Sequence, residues 1–371
     1  MDEVPESIWQ RLGSGYSTAL DPRFWRVLEA SQLAGFSYRY LVLQDERGEP
    51  LAFLGLYSVV TDIAIFAPPF LKRILAPIRR RWPGFLKWTM LECGTPITIV
   101  SPPIAQAEDL PRQQLVDRLA AEMRRLARAE GHLLLVVRDF EPEAEAYRED
   151  FARHGFHWIE GLPNTYLDLP WRRPAEYHQA MRSYYRSKLK KHRRANEALG
   201  VRHELRKDFA DLAEVLSAQW QIVHDAAKEF QREILTPQFY RSFAEGMGDD
   251  SLVLLFYCGD ELVAHALLLR DGTLLRWLYV GRNAAQNDGL YLHVAATVVD
   301  TAIELGAERL ELGLTTYDVK LDLGATAFPI AMALRSRWAW MNPFVGWGYR
   351  MLNQVPRPAA RQVFKEEEGK R

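Results

Sequence analysis

A short pattern occurs twice in this chain, and the repetition restricts the folds that the chain can adopt. Residues 48–56 and 259–267 each begin with a Gly-acidic turn, which leads into an apolar run with Leu at the fourth and ninth positions. Helix-like patterns that end at Gly131 and Gly306 are each followed by a strand-like run. A hairpin, a helix and a strand that recur in this order indicate two copies of one α+β unit.

The length of the chain and the pattern of its second half support this interpretation. The chain has 371 residues, which is long for a single compact core. Three apolar runs between Leu252 and Val280 are separated by turn residues and predict a three-stranded meander. The segment 290–305 is apolar nearly all round and predicts a buried helix. We place the first unit at residues 1–170 and the second at 171–371.

The first copy is longer than the second between its hairpin and its helix, and the extra residues fall at about 66–103. This stretch is aromatic and aliphatic, and from Lys72 to Lys87 it carries six basic residues and no acidic ones. Such a segment is typical of a helix that lies on an anionic membrane surface. The alternative is a helix that packs over its own domain while its basic side chains reach water. The aromatic extension from Trp338 to Trp347 either adds to that surface or docks on the protein.

A second basic segment runs from Arg182 to Arg194, with seven Lys and Arg residues and no acid. It is open to three interpretations: an RNA contact, a clamp on an anionic acceptor, and a solvated helix face. The net charge of the whole chain is −1, which gives no general attraction to nucleic acid. An RNA contact is therefore not the favoured interpretation.

The cysteines and the apolar runs limit the site chemistry and the location. Cys93 and Cys258 are the only cysteines, and neither has another Cys or a His at ligand spacing. We therefore predict no disulfide framework and no metal site. No apolar run reaches the roughly 18 residues of a membrane span, and the acidic N-terminus lacks a signal-peptide core. We expect a cytoplasmic protein, peripheral at the inner membrane face if the segment 66–103 binds lipid.

The order of elements at 252–314 resembles the acyltransferase fold of the GNAT superfamily. With the basic helix at 186–200 before it and a second such unit upstream, the chain is similar to FemAB-like double-GNAT proteins over about residues 35–340. The segments 289–292 and 313–325 carry the rest of the likeness. The resemblance implies an α+β fold of two tandem GNAT-like units, each a mixed, mostly antiparallel sheet flanked by helices. It also implies acyl transfer to an amine or hydroxyl.

The resemblance further implies a donor site at the connection between the meander and the buried helix. In GNAT enzymes this connection holds pyrophosphate on free N–H groups at the helix N-terminus. Gln286-x-x-Gly289 satisfies the first half of the family pattern, and Tyr291 stands in place of its second small residue. The donor stays open between acyl-CoA and the aminoacyl-tRNA that peptidoglycan members of the family use. The implied donor-binding residues are Arg282, Asn283, Gln286, Gly289 and Leu290.

Three candidate catalytic residues follow the strand at 308–314. The resemblance places Lys320 near the reacting acyl group, where a cation stabilises developing oxyanion charge. The alternative for Lys320 is a solvated loop lysine paired with Asp318 or Asp322. Tyr317 and Asp318 are candidates to position the acceptor amine or donate a proton, and Asp318 is also a common turn residue.

Two more candidates belong to the meander. His265 lies in the middle of a strand and is either a base that faces the cleft or a hydrogen-bonded interior histidine. Tyr279 lies at the end of the third strand, where it either packs in the core or extends its hydroxyl to the site.

We expect the second unit to carry the chemistry, because Ser101-Pro102-Pro103 stands at the donor connection of the first unit and proline has no N–H for a phosphate. No Ser-His-Asp or Cys-His constellation is legible, so the predicted mechanism is direct attack by an acceptor amine. The predicted function is transfer of an acyl or aminoacyl group to an amine acceptor such as a cell-envelope precursor. The alternatives are a non-catalytic GNAT scaffold peripheral to the membrane and an RNA-associated factor.

Overall fold

The computed structural model describes residues 1, 4–5, 7–12, 17–64, 67, 69–97, 99–100, 104–227, 233–284, 289–352 and 355–365. The chain forms two compact units, each built from more than one segment. The first consists mainly of Met1–Leu162 and Pro329–Pro356, and the second of Pro163–Lys228, Ile234–Phe328 and Arg357–Arg371. Each unit has its own sheet, with seven strands in the described residues.

The sheet of the first unit is mixed and mostly antiparallel. Its strands are β1 (Ser37–Gln44), β2 (Pro50–Asp62), β3 (Lys87–Cys93), β4 (Ile104–Gln106), β5 (Leu134–Phe140), β6 (His157–Glu160) and β14 (Ala331–Ser336). They lie in the order β1-β2-β3-β5-β14-β6, with β4 paired to β2. The β3–β5 pair is parallel, and the other pairs are antiparallel.

Helices flank this sheet. They are α1 (Ser7–Leu12), α2 (Pro22–Ala30), α3 (Pro69–Arg81), α4 (Arg112–Glu130), α5 (Tyr147–Arg153) and α12 (Asn342–Leu352). Leu115, Leu119 and Met123 recur at helical spacing on α4 and are fully buried in the core of the unit. Gly131 ends α4 in the left-handed region, with φ of 82°, and its N–H bonds the Ala127 carbonyl. This is the helix end that the sequence predicts.

The sheet of the second unit has the same character. Its strands are β7 (Asn164–Asp168), β8 (Val201–Arg206), β9 (Ser251–Cys258), β10 (Glu261–Asp271), β11 (Leu274–Arg282), β12 (Arg309–Glu311) and β13 (Thr326–Phe328). They lie in the order β13-β7-β12-β11-β10-β9-β8. The β11–β12 pair is parallel, and the other pairs are antiparallel.

The helices of the second unit pack around the meander β9-β10-β11. They are α6 (Pro174–Ala180), α7 (Ser183–Ala198), α8 (Ala213–Ala226), α9 (Pro237–Met247), α10 (Leu290–Glu304) and α11 (Tyr317–Asp322). α10 is buried along most of its length, and it packs on the meander through side chains such as Val294 and Val298. α9 begins with a cap that is typical of helix N-termini: the Thr236 hydroxyl accepts from the Phe239 N–H at 3.3 Å, and Pro237 occupies the first helical position.

The predicted fold class is confirmed, since both units are mixed sheets flanked by helices. The repeated pattern corresponds to the hairpins β1–β2 and β9–β10, to the helices α4 and α10, and to the parallel strands β5 and β12. The stretch 66–103 contains α3, and it also contains β3, which is the third strand of the first meander.

Two strands that follow one another along the chain belong to different sheets. β6 and β7 do not pair with each other: β6 pairs with β14, and β7 pairs with β12 and β13. Each sheet therefore receives a strand from the other half of the chain. A period-two pattern determines which side chains of a strand face the core, but it does not determine which strand becomes its neighbour.

Candidate functional site

The second sheet opens between β11 and β12. These strands pair in parallel at three positions, the last of them Arg276 with Glu311. From Trp277 to Arg282, β11 continues without pairing to β12 in the described residues. Backbone groups that leave a ladder in this way need partners outside the neighbouring strand. We call this opening between β11 and β12 the splay.

A bulge in β11 lies at this opening. The pairing of β11 with β10 skips Leu278, because Leu267 faces Tyr279 whereas Leu268 faces Trp277. The extra residue reverses the alternation of side chains. Trp277 therefore faces α10, where it stacks on Tyr291 with ring centroids 5.8 Å apart. Tyr279 faces the other side of the sheet, where its ring contacts Trp220 and Phe239 edge-on.

The Lys320 side chain is bound to the loop that follows β12. Its side chain is buried, with 3% of the residue exposed, and Nζ donates to the carbonyl oxygens of Gly313 at 3.0 Å and Leu314 at 2.5 Å. Burial lowers the pKa of Lys320 to about 7, although the negative charge of Glu311 opposes the shift. Lys320 is therefore not the solvated lysine of the alternative interpretation. With this pKa, the Lys320 side chain changes between its charged and neutral forms near neutral pH.

The loop held by Lys320 has an unusual backbone. Thr315 and Thr316, which are not glycines, both lie in the left-handed region, with φ of 62° and 46°. Consecutive residues of this kind cost free energy and persist where the surroundings impose them. The Thr316 side chain bonds the hydroxyl of Tyr291, the residue at which the family pattern has a small side chain. Tyr291 therefore joins the start of α10 to the strained loop.

A buried ion cluster ends the paired part of β11 and β12, and sequence reasoning missed it. The Arg276 guanidinium pairs with Glu311 and Asp271, and Arg276 and Glu311 are each at most 4% exposed. Burial alone would lower the pKa of Arg276, but the charges of Glu311 and Asp271 hold that pKa above its usual range. Asn164 donates to the second Glu311 oxygen at 2.8 Å. Two charged residues inside apolar strands, Arg276 and Glu311, were the signal in the sequence.

The predicted donor residues are distributed around the start of α10. The buried Arg282 side chain donates to the Ala284 carbonyl at 2.8 Å, and Asn283 donates to Glu261 at the same distance. Gln286 lies outside the described residues. Gly289 caps α10 with φ of 81°, and a Cβ on it would come within 2.4 Å of His192 Nδ1. Leu290 opens the helix, so its N-terminal N–H groups begin directly after the glycine.

His265 belongs to a closed hydrogen-bond network. It is fully buried, its Nε2 lies 3.1 Å from the Tyr240 hydroxyl, and its Nδ1 lies 2.8 Å from Gln219 Oε1. Because the Gln219 amide nitrogen donates to Leu262 and Asn283, Gln219 Oε1 accepts from Nδ1–H of His265, and the Tyr240 hydroxyl donates to Nε2. Burial lowers the pKa of His265 to about 3. The arrangement is that of an interior histidine, and through Gln219 it holds Asn283 in place.

Tyr317 and Asp318 open α11 but do not converge with Lys320. The Tyr317 hydroxyl donates to the Pro163 carbonyl at 2.9 Å. The Asp318 side chain is 91% exposed and pairs with Arg361, which also binds Asp322. Two residues along a helix rotate the side-chain direction by about half a turn, so Asp318 points outward and Lys320 points inward, although the two are close in sequence.

The basic segment 182–194 forms most of α7, and part of its charge is neutralised within the unit. Lys188 binds Asp322 at 2.5 Å, and Arg193 pairs with Asp300 of α10. Lys190, Lys191 and Arg194 remain exposed. Among the described residues, no three His, Cys, Asp or Glu side chains meet as a metal site. In the same part of the chain, no helix has both the length and the apolarity needed to cross a bilayer.

Comparison with known proteins identifies the domain that holds this site. Residues 183–321 match the family model of the acetyltransferase (GNAT) domain, a range that includes the splay, α10 and Lys320. The chain is also 29% identical over 326 residues to the putative 8-amino-7-oxononanoate synthase 2 of Mycobacterium tuberculosis. That alignment covers 86% of this chain and 42% of the relative. The chain therefore spans less than half the length of this curated relative.

Solved structures share the fold at low sequence identity. FemX superposes with a TM-score of 0.53 and 11% identity, over 84% of this chain and 90% of that one. The C-terminal domain of a putative lysylphosphatidylglycerol synthetase from Agrobacterium fabrum gives 0.52 and 12%, over 88% and 92%. L-PGS from Bacillus licheniformis gives 0.51 and 11%, over 92% and 99%. The coverage in all three extends over both units.

Proposed function

We propose that the second unit, which contains the match to the acetyltransferase (GNAT) domain, transfers an acyl or aminoacyl group to an amine of a cell-envelope precursor. The observation that carries this proposal is the position of Lys320, which is bound to the loop that borders the splay between β11 and β12. One structure that shares the fold is named as a putative lysylphosphatidylglycerol synthetase, and this name favours an aminoacyl donor and an envelope acceptor.

The proposed step is direct attack. The amine nitrogen bonds to the acyl carbonyl carbon, the carbonyl oxygen takes the charge, and the bond from carbon to the donor's sulfur or oxygen then breaks. The leaving group takes up a proton, and the amine loses one. Two of the three Lys320 N–H donors bind the Gly313 and Leu314 carbonyls. We assign the third, together with N–H groups of β11, to the oxyanion.

We propose that the donor carries phosphate and binds at the start of α10. Gly289 lets the chain turn tightly into the helix, and the positive end of the α10 dipole suits a phosphate oxygen. Acyl-CoA and aminoacyl-tRNA both meet this requirement. A thermal-shift series with acetyl-CoA, longer acyl-CoAs and an aminoacyl-tRNA identifies the donor, because a ligand that binds the folded state raises its melting temperature.

The test of the mechanism is Lys320→Met, which removes the charge and keeps most of the side-chain volume. We expect kcat to fall by about 100-fold or more while the KM for the donor changes little. Lys207→Met is the matched control, because Lys207 lies on the exposed surface of the same unit in a pair with Asp249. Full activity of Lys320→Met would remove Lys320 from the mechanism. Failure of every donor would favour the non-catalytic scaffold.

We also propose that α3 of the first unit contacts an anionic membrane. Leu75 faces inward and packs with Ala64 and Ala67, as in the interpretation of a helix docked on its own domain. Another face of the helix is apolar and exposed, with Phe70 at 62% and Ile74 at 59%. Lys72, Arg73, Arg80 and Arg81 of the same helix are also exposed. Basic side chains around an exposed apolar face complement anionic lipid.

Vesicle co-sedimentation tests the membrane proposal. Ile74→Asp places a charge on the exposed apolar face without touching the buried one, and we expect it to weaken binding to vesicles that contain phosphatidylglycerol. Ile222→Asp is the control, because Ile222 is an exposed isoleucine on α8 of the second unit. Unchanged binding by Ile74→Asp would refute the contact.

A further inference from the structure

Several features that the acyltransferase chemistry does not use lie at one end of the strands of the first sheet. The directions in which β2, β3, β5, β14 and β6 pair bring one end of each strand together there; these ends are Asp62, Lys87, Leu134, Ser336 and His157. The helix α3 leaves the sheet there, α4 ends there, and α12 follows β14 there. Elements that are far apart in sequence are therefore neighbours at this end of the sheet.

A shallow, open cleft lined by arginines lies at the same end of the sheet. Arg124, Arg125 and Arg128 come from the last turns of α4, and Arg335 comes from the end of β14. The adjoining hollow adds Arg337 and the indoles of Trp338 and Trp340. The Arg337 guanidinium lies over the Trp338 ring at 4.4 Å from its centroid, and the two indoles stack with centroids 6.2 Å apart.

The positive charge of this cleft is largely uncompensated. Arg125 pairs with Glu122, but no carboxylate of the described residues forms an ion pair with Arg124, Arg128, Arg335 or Arg337. Arg335 donates to the His154 carbonyl, and its Nε is buried without a hydrogen-bond partner in the described structure. Burial and the nearby charges of Arg124 and Arg128 lower the pKa of Arg335. A bound anion would relieve this repulsion.

We propose that this arginine cleft binds a phosphate-type oxyanion. Guanidinium groups bind phosphate through paired N–H donors, and several converging guanidiniums suit a doubly charged or diester phosphate. The cleft lies in the first unit, and it is a site separate from the donor site at α10.

The surroundings favour a lipid headgroup as the source of the phosphate. Trp340 lines the hollow, and Phe344 and Trp347 belong to α12, which follows it; all three are at least 64% exposed, while Val345 and Tyr349 of α12 pack inward. Exposed tryptophans next to a phosphate site are typical of proteins that lie at a bilayer surface. The lipid source rests on the membrane contact proposed for α3, whereas binding of the oxyanion does not.

The experiment compares two charge reversals on one helix. Arg128→Glu alters the cleft, and Arg118→Glu alters an exposed arginine of α4 near its middle. One arm measures co-sedimentation with phosphatidylcholine vesicles, with and without phosphatidylglycerol. The other arm measures binding of inorganic phosphate by calorimetry. We expect Arg128→Glu to weaken anion binding by about tenfold or more, and Arg118→Glu to change it by less than about twofold.

Each outcome decides between the sources or rejects the site. Selective loss of vesicle binding in Arg128→Glu supports a lipid headgroup. Binding of phosphate that is lost in Arg128→Glu, with no vesicle binding by the wild type, supports a soluble phosphate and rejects the membrane contact. Wild-type protein that binds neither ligand, or equal loss in both variants, overturns the proposal. Arg337→Gln serves as a second cleft variant if Arg128→Glu unfolds the unit.

Discussion

The lowered pKa of Lys320 predicts how the free energy of unfolding changes with pH, so Lys320 offers a quantitative test. Its pKa is about 7 in the folded protein and about 10.5 in an exposed chain. Between these values the unfolded chain binds a proton that the folded protein has released, so the stability rises with pH. The cost of burying Lys320 is then about 4 kcal/mol at pH 7 and about 2 kcal/mol at pH 9.

The perturbation is Lys320→Met, which removes this titration. Urea unfolding of wild type and variant at pH 7, 8 and 9 gives the difference in free energy of unfolding at each pH. We expect this difference to shift in favour of the wild type by about 2 kcal/mol from pH 7 to pH 9. Loss of the hydrogen bonds to Gly313 and Leu314 adds an offset that does not depend on pH. A difference that stays constant with pH would refute the lowered pKa.

The same pair of proteins tests which form of Lys320 acts. The ratio of wild-type to variant kcat cancels the titration of the acceptor amine, because both proteins use the same acceptor. If the ammonium stabilises the oxyanion, this ratio falls as the pH rises above about 7. A ratio that rises through this pH would assign Lys320 to proton acceptance and reject the oxyanion role.

Three further predictions concern the structure around the site. Arg276→Leu leaves the Glu311 charge buried without its main partner, so we expect the free energy of unfolding in urea to fall by about 3–5 kcal/mol. The double variant Arg276→Leu/Glu311→Leu should recover most of that stability. Additive losses in the two single variants and the double variant would contradict this expectation. Gly289→Ala imposes a left-handed backbone on alanine, which costs about 1–2 kcal/mol, and it adds a clash with His192. Adding His192→Ala should remove the clash but not the backbone cost. An unchanged melting temperature and donor affinity in Gly289→Ala would show that the turn is not required. The His265 ring should stay neutral from about pH 8 to pH 5 in NMR spectra, and a titration near its usual pKa of about 6.5 would contradict the closed network.

Local patterns predicted most of the secondary structure. The apolar meander, the buried helix at 290–305 and the ends of α4 and α9 follow from periodicity and from capping residues such as Gly131 and Thr236. These features depend on neighbours a few residues apart, so the sequence is sufficient to locate them. The repeated order of these elements also determined the fold class.

The candidate site was predictable in part. The resemblance singled out Lys320 and Gly289, and the structure places both beside features that the chemistry needs: Lys320 on the loop next to the splay, and Gly289 at the start of α10. It also singled out His265 and Asp318, which the structure places in an interior network and on the exposed surface. Residue type and position alone do not distinguish these environments.

The sequence by itself determined that the chain contains two α+β units, that each repeats a hairpin, a helix and a strand, and where Gly must turn the chain. The tertiary structure decided the exchange of β7 and β14 between the sheets, the bulge at Leu278 and the burial of Lys320. The physical reason is the distance along the chain over which each interaction acts. Propensities and caps act within a few residues, whereas strand pairing, desolvation of a lysine and the partnering of Arg276 with Glu311 depend on groups that only the folded chain brings together.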